Sequence, residues 1–168
     1  IKPANLLLTQ EGEVKLTDFG TAIPSWGEAT QVAGLVGSPC YMSPEQVREE
    51  TLTYHSDMFS LAVVMYELLT GRRPFLGDSD FSTLYKISQE TPPLPSLIRP
   101  SLPTQADALL LRALNKNPAD RYPTWTDLAE ALFAAARQAP EERSIETQTQ
   151  RFARLKALDF FSDFHDVA

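Results

Sequence analysis

Near the middle of the chain the sequence reads Asp57-Met58-Phe59-Ser60-Leu61-Ala62-Val63-Val64-Met65-Tyr66-Glu67-Leu68-Leu69-Thr70. Apolar side chains fall on nearly every side of a helix built from this stretch, and Glu67 is the one charged residue in its interior. A helix that is apolar all round lies in the middle of a domain. Ser56 is suited to cap its start and Gly71 its end, and Pro74 prevents the helix from resuming. The stretch therefore predicts the central helix of a domain.

Further helices are predicted after this central one. The spacing of apolar residues favours helices over 79–88, 104–115 and 124–137. Between them, residues 91–103 contain five prolines, which indicates an extended connector. Residues 138–150 are polar and are typical of a linker. The second half of the chain is therefore predicted to be helical as far as residue 137.

The segment before the central helix has a different pattern. Residues 5–9 and 13–17 resemble paired strands, and the Gly-containing stretch 10–12 between them is typical of a turn, so a β-hairpin is predicted. Glycines and prolines interrupt residues 20–44, which predicts a long loop of the kind that is usually functional or disordered. Strands first and helices after favour a mostly α (α+β) fold, with a small β element at one edge of a helical layer.

Composition limits the classes of protein that fit. The 168 residues suffice for one domain and a tail, and 43% of them are hydrophobic, so a core is expected. The net charge of −7 argues against nucleic acid as the main partner, because phosphate binding favours a basic surface. Cys40 is the one cysteine, so no internal disulfide is expected. No signal peptide or membrane span is expected in this sequence.

A candidate metal ligand ends the second predicted strand. There the sequence reads Asp18-Phe19-Gly20. Phosphoryl transfer from a nucleotide requires carboxylate and amide oxygens on a hard cation that bridges the phosphates, and an aspartate before a flexible glycine suits that role. On its own the tripeptide is more typical of an ordinary turn.

The surrounding motifs give the tripeptide a context. In chain order with it, they are Lys2-Pro3-Ala4-Asn5, Gly37-Ser38-Pro39-Cys40-Tyr41-Met42-Ser43-Pro44-Glu45, Ser56-Asp57-Met58-Phe59-Ser60-Leu61 and Asn117-Pro118-Ala119-Asp120-Arg121-Tyr122. Over residues 1–137 this set resembles the protein kinase family. The variants around 41–46 and 69–75 are most similar to bacterial serine/threonine kinases. The resemblance implies the C-terminal lobe of a kinase, incomplete at its N-terminal side.

The resemblance also implies a chemistry and the residues that perform it. Kinases of this family transfer the γ-phosphoryl group of ATP, with Mg²⁺, to Ser or Thr hydroxyls of proteins. Lys2 matches the position that steadies the transferred phosphate, Asn5 the amide ligand of the second magnesium, and Asp18 the carboxylate that bridges metals and nucleotide. The catalytic base of the family would directly precede Ile1, so we expect this fragment, truncated at both ends, to be inactive alone.

Residues 20–45 match the activation segment of the family. Gly37, Ser38 and Tyr41 are the expected substrate-binding residues, and Ser38 matches a hydroxyl residue that contacts the catalytic base. Thr30 is the candidate phosphorylation site, with Thr21 and Ser25 as alternatives. A phosphate there would order the loop by pairing with arginine, although an unmodified hydroxyl remains the other interpretation.

Three polar residues are expected to be structural. Glu45 and Arg121 match a buried bidentate pair that ties the activation segment to the helices. Asp57 matches the residue that holds the backbone of the catalytic loop. Ser43 and Ala62 depart from the commoner Ala and Gly of the family, and neither change touches the chemistry.

The end of the chain carries a weaker signal. Residues 151–168, and 151–164 in particular, are similar to the start of a cyclic-nucleotide-binding domain; a generic amphipathic helix with aromatic residues at its end is the alternative. Two other functions stay open: a pseudokinase scaffold, which substitution of the upstream lysine or aspartate would favour, and a cyclic-nucleotide-regulated receptor. The kinase domain is expected in the cytoplasm, and the sequence leaves membrane attachment elsewhere in the parent protein open.

Overall fold

The computed structural model describes residues 1–20 and 39–138, and these two stretches belong to two different compact units. Within those residues, none of the helices has both the length and the apolar character needed to cross a membrane. The activation-segment residues Thr21, Ser25, Thr30, Gly37 and Ser38 lie outside the described residues, as do most of the predicted linker and the whole of the predicted domain at 151–168.

The first unit contains the predicted hairpin. A 3-10 turn at Pro3–Asn5 leads into β1, Leu6–Leu8, which pairs antiparallel with β2, Val14–Leu16. Leu6 lies opposite Leu16. The turn closes through the Gly12 amide, which donates to the carbonyl of Thr9 at 3.0 Å, and Gly12 adopts the positive φ of 85° that a side chain would disfavour. The hairpin predicted from the sequence is confirmed.

The second unit is helical. In chain order it contains α1 Pro44–Val47, α2 Tyr54–Thr70, α3 Asp80–Gln89, α4 Pro95–Ile98, α5 Thr104–Ala113 and α6 Trp125–Gln138, with 3-10 turns at Pro39–Tyr41 and Pro118–Asp120. Helix α2 is central, because α1, α4, α5 and the turn Pro39–Tyr41 all pack against it. Helix α6 packs on α5, and α3 packs on α1 and the same turn. The mostly helical fold with a small hairpin is confirmed.

The start of α2 differs from the prediction. The helix begins at Tyr54, because Thr53 caps it: the Thr53 hydroxyl accepts from the His55 amide at 3.3 Å, and the Thr53 amide donates to the Ser56 hydroxyl at 3.4 Å. Ser56 is thus the third residue of a capping box rather than the cap, so that prediction is wrong. The other end is as predicted, with Gly71 at φ 70°.

Two short helices were not predicted. Helix α1 begins at Pro44 in a capping box formed by Ser43 and Gln46. Helix α4 lies inside the proline-rich stretch that was predicted to be extended. Proline is well suited to the first position of a helix, because it has no amide hydrogen to leave unpaired there. In each of the two segments a proline therefore begins a single helical turn.

The partly buried side chain of Lys116 joins α3 to the segment after α5. It donates to the carbonyl oxygens of Ile87 at 2.6 Å and Lys86 at 3.3 Å, in the last turn of α3. It also lies 3.6 Å from the ring centroid of Phe75. Burial, reinforced by nearby arginines, lowers the pKa of Lys116 to about 7. The last turn of α3 is therefore hydrogen-bonded by Lys116, a group whose charge is sensitive to pH.

Candidate functional site

The open end of the hairpin brings the predicted catalytic residues together. Asn5 immediately precedes β1, and Thr17 immediately follows β2. The Thr17 amide donates to the Asn5 carbonyl at 2.8 Å, and the Thr17 hydroxyl approaches the same oxygen at 3.3 Å. Asp18 comes next in the chain, while the Asn5 amide donates to the Lys2 carbonyl at 3.0 Å. Lys2, Asn5 and Asp18 therefore lie at one end of a single hairpin.

The backbone of Asp18 has an uncommon conformation. Its φ is +58°, in the left-handed region that residues other than glycine rarely adopt. Its side chain is exposed, and its Oδ1 accepts a hydrogen bond from the Gly20 amide at 3.4 Å. Backbone conformations of this kind concentrate at functional sites, where the surrounding structure maintains them. The Asp18 carboxylate, which follows the end of β2, is therefore accessible to solvent.

The donors at this end of the hairpin suit a magnesium ion. Mg²⁺ prefers hard oxygen ligands, and it usually takes one or two protein carboxylates and completes its shell with water and phosphate oxygens. Asp18 offers a carboxylate and Asn5 an amide oxygen. Within residues 1–20 and 39–138 there is no cluster of three or more His, Cys, Asp or Glu side chains able to hold a metal ion. Two oxygen donors would leave the rest of a magnesium shell to water and phosphate oxygens.

In the second unit, Tyr41 is anchored inside the lobe. The side chain is 9% exposed, and its hydroxyl donates to Oε2 of Glu67 at 2.8 Å. Burial, together with the carboxylate of Glu67, raises the pKa of Tyr41. The Tyr41 carbonyl accepts a hydrogen bond from Ser60 at 2.7 Å. The Tyr41 ring is thus buried and its hydroxyl is bonded to Glu67, and the predicted role of Tyr41 in binding the substrate stays a prediction.

Glu45 and Arg121 form a buried bidentate pair. Nη1 and Nη2 of Arg121 donate to the two carboxylate oxygens of Glu45 at 2.7 and 2.8 Å, and the side chains are 0% and 2% exposed. Arg121 also donates to the carbonyls of His55 and Asn115. Burial acts to raise the pKa of Glu45, but the hydrogen bonds from Arg121, the backbone and Ser56, together with the positive charge of Arg121, outweigh it, so the pKa lies below its ordinary value. The pair ties α1 to the segment that precedes α6.

The third residue that the sequence predicts to be structural is Asp57. Asp57 lies in the first turn of α2 with an exposed side chain. Its expected role as the anchor of the catalytic loop stays a prediction.

Sequence reasoning missed a second buried carboxylate and its cation. Glu67 accepts from Nε of Arg73 at 3.0 Å as well as from Tyr41. The signal for Glu67 was present, because a lone carboxylate inside an apolar helix requires partners. Arg73 gave no such signal, since an arginine in a polar turn is ordinarily solvated.

Comparison with known proteins gives this geometry a family. The family described as protein kinase domain matches residues 1–134. The serine/threonine-protein kinase PknB of Mycolicibacterium smegmatis is 38% identical over 161 residues, covering 94% of this chain and 26% of that protein. The probable serine/threonine-protein kinase PknB of Corynebacterium glutamicum is 42% identical over 146 residues, covering 83% and 23%. The probable serine/threonine-protein kinase SCO3848 of Streptomyces coelicolor is 43% identical over 126 residues, covering 73% and 19%.

The chain spans about a quarter of the length of the curated relatives it matches. The family match extends over most of the chain and includes the hairpin, the buried Glu45–Arg121 pair and the helices around α2. The chain belongs to the protein kinase domain family, and its relatives include bacterial serine/threonine-protein kinases.

Proposed function

We propose that the complete protein containing this chain transfers the γ-phosphoryl group of ATP to serine or threonine hydroxyls of proteins. The observation that carries this proposal is the hairpin register, which brings Lys2, Asn5 and Asp18 to one end of the first unit. The names of the relatives support serine and threonine as acceptors.

In this mechanism the chain supplies positioning and charge. Mg²⁺, when bound with ATP, neutralises charge on the phosphates. The side-chain oxygens of Asn5 and Asp18 would hold the metal, and the Lys2 ammonium group would stabilise negative charge on the phosphoryl group in transfer. Gly37 and Ser38 seat the acceptor residue. The Glu45–Arg121 pair fixes α1, which follows these two residues in the chain.

The test is phosphoryl transfer by the complete protein, with labelled ATP, Mg²⁺ and a generic protein acceptor. We expect D18A to lower the rate by about a hundredfold or more, because a ligand that acts on transition-state charge is removed. K2M should also be strongly impaired. The matched controls are D78A and K15M, which change exposed residues of the same type outside the proposed site.

Retained activity in D18A would overturn the assignment of the site. No serine or threonine labelling by the wild type would favour the pseudokinase scaffold instead.

The resemblance of residues 151–164 to the start of a cyclic-nucleotide-binding domain stays a prediction. The same assay tests it, with 3′,5′-cyclic AMP and cyclic GMP added to the complete protein. A change in the rate of transfer would favour regulation by a cyclic nucleotide, and equal rates would favour the amphipathic helix. We assign the kinase domain to the cytoplasm, where ATP and protein acceptors are available.

A further inference from the structure

A single arginine contacts two residues of the segment that precedes α1 and one residue of α2. Arg73 lies in the turn after α2. Its Nε donates to Oε1 of Glu67 at 3.0 Å, its Nη1 lies 3.6 Å from the sulfur of Cys40, and its guanidinium carbon lies 5.6 Å from the ring centroid of Tyr41. The turn Pro39–Tyr41 is therefore contacted by one cation at two successive side chains.

The carboxylate of Glu67 lies between Arg73 and Tyr41, and both of its oxygens accept hydrogen bonds. Oε2 of Glu67 accepts from the Tyr41 hydroxyl at 2.8 Å, and Oε1 accepts from Arg73. The Glu67 side chain is 10% exposed, while that of Arg73 is 37% exposed. Removing the cation would leave a nearly buried carboxylate with Tyr41 as its one remaining partner among the described residues, which is strongly unfavourable. The packing of the Tyr41 side chain against α2 thus depends on Arg73, although Arg73 lies at the surface.

The position of this turn matters for the adjoining loop. Gly37 and Ser38, which we propose seat the acceptor, directly precede Pro39 in the chain. The turn is fixed on its other side by the hydrogen bond from Ser60 to the Tyr41 carbonyl. Without Arg73, the turn Pro39–Tyr41 would keep the hydrogen bond from Ser60 and its packing against α3. The Glu67 carboxylate that accepts from the Tyr41 hydroxyl would lose the cation that holds it in place.

We propose that Arg73 is a positioning residue for the protein substrate, acting through Glu67 and Tyr41 on the turn Pro39–Tyr41. This inference rests on the proposed kinase function and adds to it a residue that the sequence did not single out. Arg73 is not a catalytic residue, because its contacts are with the protein itself. Its loss should weaken binding of the protein acceptor and leave binding of ATP unchanged.

The first test separates the two substrates kinetically. In the complete protein, R73M should raise the KM for the protein acceptor about tenfold, the loss expected for one charge-assisted hydrogen bond, with the KM for ATP unchanged. R73K, which keeps the charge, should recover part of the loss. The matched control is R72M, an exposed arginine next in the chain whose hydrogen bonds are made by its backbone. A general loss of folding would instead change both KM values and the midpoint of thermal unfolding.

The second test does not require activity. Cys40 is the one cysteine in this chain and is 7% exposed beside Arg73, so its rate of alkylation reports whether the turn stays closed. We expect faster alkylation of the Cys40 peptide in R73M than in the wild type or R72M, measured by mass spectrometry. Unchanged alkylation together with an unchanged acceptor KM in R73M would overturn the proposal, as would equal effects of R72M and R73M. If the wild type transfers no phosphate, the proposed function fails, and the Cys40 readout still decides whether Arg73 holds the turn.

Discussion

At the scale of single residues, Glu67 and Lys116 are two charged groups that the fold removes largely from water. Glu67 was visible as a lone carboxylate in an apolar helix, and its need for a partner follows from the cost of burying a charge. The identity of that partner was not visible, because Arg73 becomes close to Glu67 only after Gly71 ends the helix. Lys116 is similar: it lies in a polar stretch of sequence, yet its ammonium group is enclosed by the end of α3 and by Phe75.

The lowered pKa of Lys116 predicts how stability depends on pH. The unfolded chain holds this proton with an ordinary lysine pKa of about 10.4, whereas the folded chain releases it near pH 7. Between these values the unfolded state binds more protons, so this residue makes stability rise with pH. We expect the free energy of unfolding of the wild type, relative to K116M, to increase from about pH 7 to about pH 9. Denaturant unfolding of both proteins at several pH values measures this difference in the free energy of unfolding.

A difference between the wild type and K116M that stays constant or falls over this range would contradict the prediction. It would mean that the two carbonyl oxygens and the aromatic ring hold the charged form of Lys116.

At the scale of elements, the long helices were predictable and the short ones were not. The apolar character of α2 and its end at Gly71 follow from local sequence, and α3, α5 and α6 begin and end within two residues of their predicted bounds. Helix α4 depends on a distant side chain. The buried carboxylate of Asp107, in α5, accepts from the Ser96 amide at 2.8 Å and from the Ser96 hydroxyl at 2.6 Å. A local sequence pattern cannot show a hydrogen bond to a side chain this far along the chain. The pattern therefore predicts an extended segment over the prolines.

Removing this cap should loosen α4. We expect D107A to lower the free energy of unfolding by about 1–3 kcal/mol, because the Ser96 donors would lose their buried acceptor. The amides of α4 should exchange with solvent faster, which hydrogen exchange measures residue by residue. D78A, at an exposed position, serves as the control. If D107A leaves the amide exchange rates of residues 96–98 and the stability unaltered, the hydrogen bonds to Asp107 do not maintain α4.

At the scale of the whole molecule, the fold class and the family followed from the order of the motifs. The resemblance named Glu45 and Arg121 as a pair, and the structure contains that pair although 76 residues separate them in sequence. The roles proposed for Lys2, Asn5 and Asp18 remain predictions, as do those of Gly37, Ser38 and Thr30. A sequence pattern can identify which residues match a family, but it cannot reveal contacts that form only when distant segments fold together.

The Glu45–Arg121 pair should contribute strongly to the stability of the helical unit. We expect R121M to lower the free energy of unfolding by about 3–5 kcal/mol, because Glu45 would remain buried without its cation. R48M is the matched control: it removes the exposed ion pair with Glu50, and it should cost less than about 1 kcal/mol. Denaturant unfolding followed by circular dichroism measures both. Similar losses in the two variants would show that burial of the pair has no special effect.

The hairpin register described above determines where insertions and deletions can be tolerated in this region. Adding a residue to the turn between Thr9 and Glu13 lengthens a solvent-exposed loop and leaves Asn5 opposite Thr17. Adding one inside β2 would shift Asp18 by about 3.3 Å and turn its side chain to the opposite face of the hairpin. Natural length variation, and any engineered tag or reporter, therefore belongs in the turn, while the number of residues in each strand must be kept.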